Sequence, residues 1–240
     1  MVNLLHRDRQ TSPTPSWFPL SGQTVSAEDI RQPPRAAMAM IVIMAVVLVL
    51  GWVLPAAAQR ELILALGAYI FPRDDVLQPI RFYSLFTSWM VHDGVFHLLF
   101  NAFWIIAFAS AASRHLGAVG YVVFFVLTSA VGSLAALAYN WGQPTIVIGA
   151  SGGAYGLIGA GAFVLTQGAS VLRKLGSMVA YIAIFIVLTL GFAMMGGESF
   201  GVKGDISWQA HLGGMAAGLV LFPIMAALRS RGQRPPSWPE

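Results

Sequence analysis

The sequence predicts an all-α polytopic membrane protein, a bundle of six transmembrane helices with an interfacial first external loop. Three observations carry that prediction. Only 10% of the 240 residues are charged, against about a quarter in soluble domains. Six stretches, 36–58, 94–113, 117–140, 151–172, 175–197 and 206–228, hold no Asp, Glu, Lys or Arg, and each reaches the roughly 20 residues a helix needs to cross a hydrocarbon core. The basic residues between the stretches are unevenly shared. With both termini cytoplasmic, the inside segments hold Arg7, Arg9, Arg31, Arg35, Arg114, Arg173, Lys174, Arg229, Arg231 and Arg234, whereas the outside ones hold Arg60, Arg73, Arg81 and Lys203. Positive charge resists translocation, so this asymmetry places both termini inside. The net charge of +4 is thereby read as a topology signal, and no nucleic-acid partner is expected.

Residues 1–35, rich in Pro, Ser, Thr, Gln and Arg without apolar periodicity, are expected to be a disordered cytoplasmic tail. The membrane domain is assigned to 36–229. Its first span ends near Pro55. Pro55-Ala56-Ala57-Ala58-Gln59 resembles a signal-peptide cleavage site, but an uncharged run of 23 residues behind a 35-residue leader is longer than a signal sequence uses. In the connection 59–93, Glu61 to Phe71 and Arg81 to Val91 are apolar runs too short to cross, separated by Pro72-Arg73-Asp74-Asp75. They are expected to be helices lying in the interface, with Phe82, Tyr83 and Trp89 at headgroup depth. Span two covers 94–113, and span three runs 117–140 to the break at Asn140-Trp141-Gly142-Gln143-Pro144. Span four starts at about Ser151 and is full of small residues. Span five, 175–197, is the most uniformly apolar and the most lipid-facing candidate. A Gly-rich loop from Gly196 to Asp205 leads to span six, and 230–240 is a basic, Pro-rich cytoplasmic tail. No internal repeat is visible, which weakens an inverted-repeat transporter.

The absence of cysteine excludes disulfides, thiolate metal sites and a cysteine nucleophile. Chemistry must come from polar side chains inside the spans, where each one is costly and calls for a partner or a task. His97 and Asn101 lie four apart on one face of span two, with His92 five residues earlier. Interhelical hydrogen bonding would account for them on their own. Gly149-Ala150-Ser151-Gly152-Gly153 fits either close helix packing or a nucleophile turn. As the G-x-S-x-G of a soluble hydrolase, with Thr145 to Ile148 as the strand and Asp205 and His211 following, it lacks the amphipathic surroundings such a fold needs. In span six, His211, Gly214 and Gly218 share one face that is almost free of side-chain bulk. Span four offers a matching face in Ser151, Gly152, Tyr155, Gly156 and Gly159. If the two faces meet, His211 comes within reach of the Ser151 hydroxyl, the geometry that activates a nucleophile. No acidic residue lies within a span, so the pair would be a dyad. His97, the Asn101 amide and the Ser151 backbone N–H could then donate to the oxyanion formed on a peptide carbonyl. One constellation accounts for nearly every expensive polar residue in the bilayer.

The combination resembles the rhomboid family of intramembrane serine proteases, in its bacterial form with a six-span core. The likeness covers about 85–240. His92-Asp93-Gly94-Val95-Phe96-His97-Leu98-Leu99-Phe100-Asn101 resembles the family's H-x4-H-x3-N pattern, and Gly149-Ala150-Ser151-Gly152 with Tyr155 resembles its G-x-S-G motif. Ala210-His211-Leu212-Gly213-Gly214-Met215-Ala216-Ala217-Gly218 is similar to its A-H-x2-G-x3-G helix. The resemblance implies Ser151 as nucleophile and His211 as general base and then acid. It implies His97, Asn101 and the Ser151 amide as the oxyanion hole, His92 as a structural hydrogen-bonder and Tyr155 as a ring packed on His211. Gly149, Gly152, Gly214 and Gly218 support the close approach. It further implies a mobile cap at 196–207, no cofactor and no metal. Substrates would be membrane proteins whose transmembrane segment is helix-destabilised, cut within the lipid bilayer of a bacterial inner (plasma) membrane. One departure is that Tyr83-Ser84 stands where many members carry Trp-Arg, with Arg81 displaced, so the first external loop is expected to be anchored differently.

Two other functions compete. A catalytically silent rhomboid-like protein would bind or escort membrane clients, but such relatives typically lack the serine or histidine kept here. A transporter or channel using His92, His97, Asn101 and His211 would leave Gly-Ala-Ser-Gly unexplained. Zinc and aspartyl intramembrane proteases are excluded by the lack of H-E-x-x-H and of paired aspartates in spans.

Overall fold

The computed structural model describes residues 33–70, 72–73, 76–77, 81–164, 170–200 and 206–232. The tails expected at 1–35 and 230–240 lie almost wholly outside the described residues, as does the middle of the loop 196–207.

Helix α1 (Arg35–Val53) buries Ala37, Met40, Met44 and Leu48, a three-and-four spacing that makes one packed stripe. The uncharged stretch 36–58 is not one helix. Leu54, before Pro55, is extended at φ −76° and ψ 145°, because a proline ring disfavours the helical conformation in the residue before it. A second helix, α2 (Ala56–Leu66), then begins.

Of the two interfacial helices expected in the first loop, the Glu61–Phe71 run is helical only to Leu66. Gly67 is extended, and β1 (Ala68–Ile70) pairs antiparallel with β4 (Thr145–Val147), Tyr69 opposite Ile146. A partner edge 77 residues away in sequence wins over local helical preference because it satisfies backbone donors and acceptors. β2 (Pro72–Arg73) and β3 (Val76–Leu77) form a small antiparallel pair. The Arg81–Val91 run is likewise not one helix but α3 (Phe82–Leu85) and a 3-10 turn, Ser88–Met90. Hydroxyls compete with the helical pattern there. Ser84 Oγ donates to the Arg81 carbonyl at 2.7 Å and Thr87 Oγ1 to the Leu66 carbonyl at 2.8 Å. The departure from Trp-Arg is met locally, by Arg81 against the Tyr83 hydroxyl at 3.3 Å and over the Tyr69 ring.

Helix α4 (Val95–Tyr139) is two helices joined at Gly117, whose φ of 71° and ψ of 175° break the helical path. Glycine alone adopts that conformation freely, and the Arg229 guanidinium fills the space a side chain would take. His115 is buried, with Nδ1 2.9 Å from the Ala111 carbonyl and its ring edge-on to Phe222 at 5.7 Å.

α5 (Ser151–Val164), α6 (Val171–Met195), a 3-10 turn (Gly197–Phe200) and α7 (Trp208–Gly232) complete the chain. Among the described residues, α1, α4, α6 and α7 are long and apolar enough to cross a membrane. α5 is the central helix, buried along almost its whole length between α4 and α7. α6 is peripheral and buries only Phe185 and Thr189, so its apolar surface, such as Leu172 and Met194, more than 80% exposed, is left for lipid.

Candidate active site

The site begins in the turn ahead of α5. Gly149 has φ 106°, a conformation side chains disfavour, and a Cβ there would stand 2.6 Å from His97 Nε2. Its N–H donates to the Ser88 carbonyl at 3.0 Å, and Ser88 is itself tied to Ser133 by hydroxyls 2.9 Å apart. The turn therefore delivers Ser151 at the first position of α5, where backbone N–H groups lack helical partners.

α7 reaches α5 along glycine. A Cβ on Gly214 would strike the Gly152 carbonyl, one on Gly218 the Gly156 carbonyl, and one on Gly159 would lie 2.6 Å from the Met215 carbonyl. Small residues permit such backbone contact in a membrane bundle. The approach sets the His211 ring flat on Tyr155, centroids 4.3 Å apart and planes 5° from parallel. The Tyr155 hydroxyl is hydrogen-bonded to that of Thr189 at 2.9 Å, and Thr189 also donates to the Phe185 carbonyl at 2.6 Å. His211 Nδ1 is buried without a hydrogen-bond partner, so the ring is oriented by stacking rather than by a carboxylate.

The first turns of α4 supply the other wall. His97 Nδ1 lies 2.7 Å from Asp93 Oδ1, which leaves Nε2 facing Gly149. Asn101 is 1% exposed, and its Nδ2 donates to the His97 carbonyl at 3.0 Å. A cavity of about 180 Å³ is lined by Ser151, His211, His97 and Asn101 together with Asp93, Tyr155, Trp104 and Phe192. Four sequence-predicted residues thus share one space. Ser151 and His211 make no hydrogen bond to each other in this structure, and His211 Nδ1 has no partner.

His92 is brought to the site's edge. Its ring meets His97 edge-on at 4.9 Å, and both of its nitrogens are buried. It faces a second cavity of about 160 Å³ with Trp52, Gln59 and Leu62. Burial first, and then the neighbouring His97, push its pKa down to about 3, against the opposing effects of a hydrogen bond with the Met90 backbone and of the Asp93 charge. Among the described residues, no three His, Asp or Glu side chains gather as a metal site.

Sequence reasoning passed over Asp93, Thr189, Ser88 and Ser133. Asp93 had a readable signal, since it stands four residues before His97 on a helix start. Thr189 had none, because its partner is 34 positions away on another helix.

The family model described as Rhomboid domain matches residues 79–228. "Rhomboid protease GluP" of Bacillus subtilis (strain 168) is 26% identical over 163 residues, 68% of this chain and 29% of that protein. "Putative rhomboid protease YdcA" of the same organism is 29% identical over 153 residues, 63% of this chain and 71% of that protein. "RHOMBOID-like protein 1" of Arabidopsis thaliana is 27% identical over 139 residues, 58% of this chain and 33% of its own length. The chain thus spans about a third or less of two of these relatives and about seven-tenths of the other.

Proposed function

The chain belongs to the rhomboid family and is an integral membrane protein, and from that premise we propose that it is an intramembrane serine endopeptidase working by a Ser151–His211 dyad. The observation that carries the reading is the single cavity onto which Ser151, His211, His97 and Asn101 all open.

In the proposed reaction Ser151 Oγ attacks a substrate peptide carbonyl while its proton passes to His211. The carbonyl becomes an oxyanion, met by His97, the Asn101 amide and the Ser151 N–H. His211 returns the proton to the leaving amine as the C–N bond breaks, leaving an acyl-serine. Water then gives a proton to His211 and attacks the ester, and collapse releases the acid and restores Ser151. Tyr155 keeps the His211 ring in plane throughout.

Counting the two halves of α4 separately and adding α5 gives six crossings over 36–229, with both termini cytoplasmic. The fitting substrates are membrane proteins whose transmembrane segment unwinds near the non-cytoplasmic face, in a bacterial inner membrane, with the loop 196–207 as a cap. A second reading, a silent protein that escorts membrane clients, is favoured by one observation, the missing Ser151–His211 hydrogen bond.

Intact-mass analysis of the detergent-solubilised protein after a fluorophosphonate probe separates the two. One adduct is expected on the wild type and none on Ser151→Ala or His211→Ala. A folded wild type without an adduct makes the silent reading the better one.

A further inference from the structure

The Asp93–His97 pair has a chemical consequence for the oxyanion site. Asp93 Oδ1 and His97 Nδ1 are 2.7 Å apart, and both side chains are only 14% exposed. Asp93 stands just ahead of the N-cap Gly94 of α4, where the positive end of the helix dipole favours its ionised form. A carboxylate only accepts, so Nδ1 carries a proton. In a neutral imidazole that proton leaves Nε2 bare, an acceptor that cannot hydrogen-bond an oxyanion. Yet Nε2 is the nitrogen at Gly149, two residues from Ser151. A ring that answers Asp93 and also donates into the cavity must hold both protons.

We infer that Asp93 is a positioning residue that keeps His97 doubly protonated, with Nε2–H directed at the developing oxyanion. The inference rests on the protease reading. The other titratable groups around the ring are His92, edge-on from the preceding loop, and Tyr155 and His211 across the cavity. Among the described residues Asp93 is the one acid lining that cavity. His97 transfers no proton in the reaction. Its positive charge instead meets the negative charge formed on the substrate oxygen, where a charge-assisted hydrogen bond is about twice as strong as a neutral one.

The test uses Asp93→Asn, which has the same shape and can still accept from Nδ1–H but carries no charge, and Asp93→Glu. Turnover of a fluorogenic transmembrane peptide in proteoliposomes is read as kcat and KM. Nitrogen NMR of histidine-labelled protein, assigned with single histidine variants, reads the protons on the His97 ring. In the wild type both ring nitrogens should be protonated at the assay pH. Asp93→Asn should lose one of those protons and drop kcat by about 10-fold at unchanged KM, less than the roughly 100-fold lost when an oxyanion donor is removed outright. Asp93→Glu should recover part of the rate. A singly protonated His97 in the wild type overturns the inference, and so does an Asp93→Asn protein that turns over as fast as the wild type. A folded wild type that neither cleaves the peptide nor takes up the fluorophosphonate overturns the protease reading instead.

Discussion

At the scale of single residues, His92 shows how a buried polar group ties pH to folding. Folded, it stays neutral because burial holds its pKa down to about 3, whereas in the unfolded chain it titrates near the ordinary value of about 6.5. Between those values the unfolded chain binds the extra proton. Its contribution is therefore fully in place above about pH 6.5 and declines as pH falls toward 3. Thermal unfolding in detergent at pH 7.5 and pH 5 should show a smaller acid-side loss for His92→Gln than for the wild type. Equal losses would remove His92 from the acid sensitivity. Thr189 makes the complementary point, since it holds a ring that holds the proposed base, at two removes from the chemistry.

At the scale of elements, the contact between α5 and α7 decides the site. Gly214 faces the Gly152 carbonyl and Gly218 the Gly156 carbonyl with no room for a methyl group. Overpacking costs about 1–3 kcal/mol in ordinary cores, and here the obstacle is backbone, which has no rotamer to change. Gly214→Val should therefore push α7 from α5 and abolish fluorophosphonate labelling with Ser151 and His211 both intact. It should also lower the unfolding temperature. Full labelling of that variant would contradict the contact. The loop before α4 is equally a matter of elements, because the β1–β4 pair and the Ser88 carbonyl brace the turn at Gly149 from outside the membrane helices.

At the scale of the whole molecule, charge is segregated. Arg229, near the end of α7, reaches Gly117, three residues past Arg114 in the kink of α4. These basic residues therefore gather at one end of the bundle, opposite the cavity that opens at the beginnings of α4, α5 and α7. Under the proposed orientation, with positive charge retained on the cytoplasmic side, that cavity would face the other side. Reporter fusions at both ends should read cytoplasmic; external readings at both ends would invert the topology, and an external reading at one end alone would contradict the six crossings.

The sequence by itself determined the membrane class, because uncharged runs about 20 residues long have no other stable home. It also determined the glycine faces of α5 and α7, since helical periodicity alone puts Gly152, Gly156 and Gly159 in one line and His211, Gly214 and Gly218 in another. Ser151 and His211 stood out as candidates for the same reason, being polar groups where solvation is absent. Only the tertiary structure decided the rest. The pairing of Ala68–Ile70 with Thr145–Val147 and the grip of Thr189 on Tyr155 join positions distant in the chain, and no local pattern encodes such a partner. The hydrogen bond from His97 to Asp93 is local, yet its meaning depends on what Nε2 faces, and that is set by where the Gly149 turn is folded against α4.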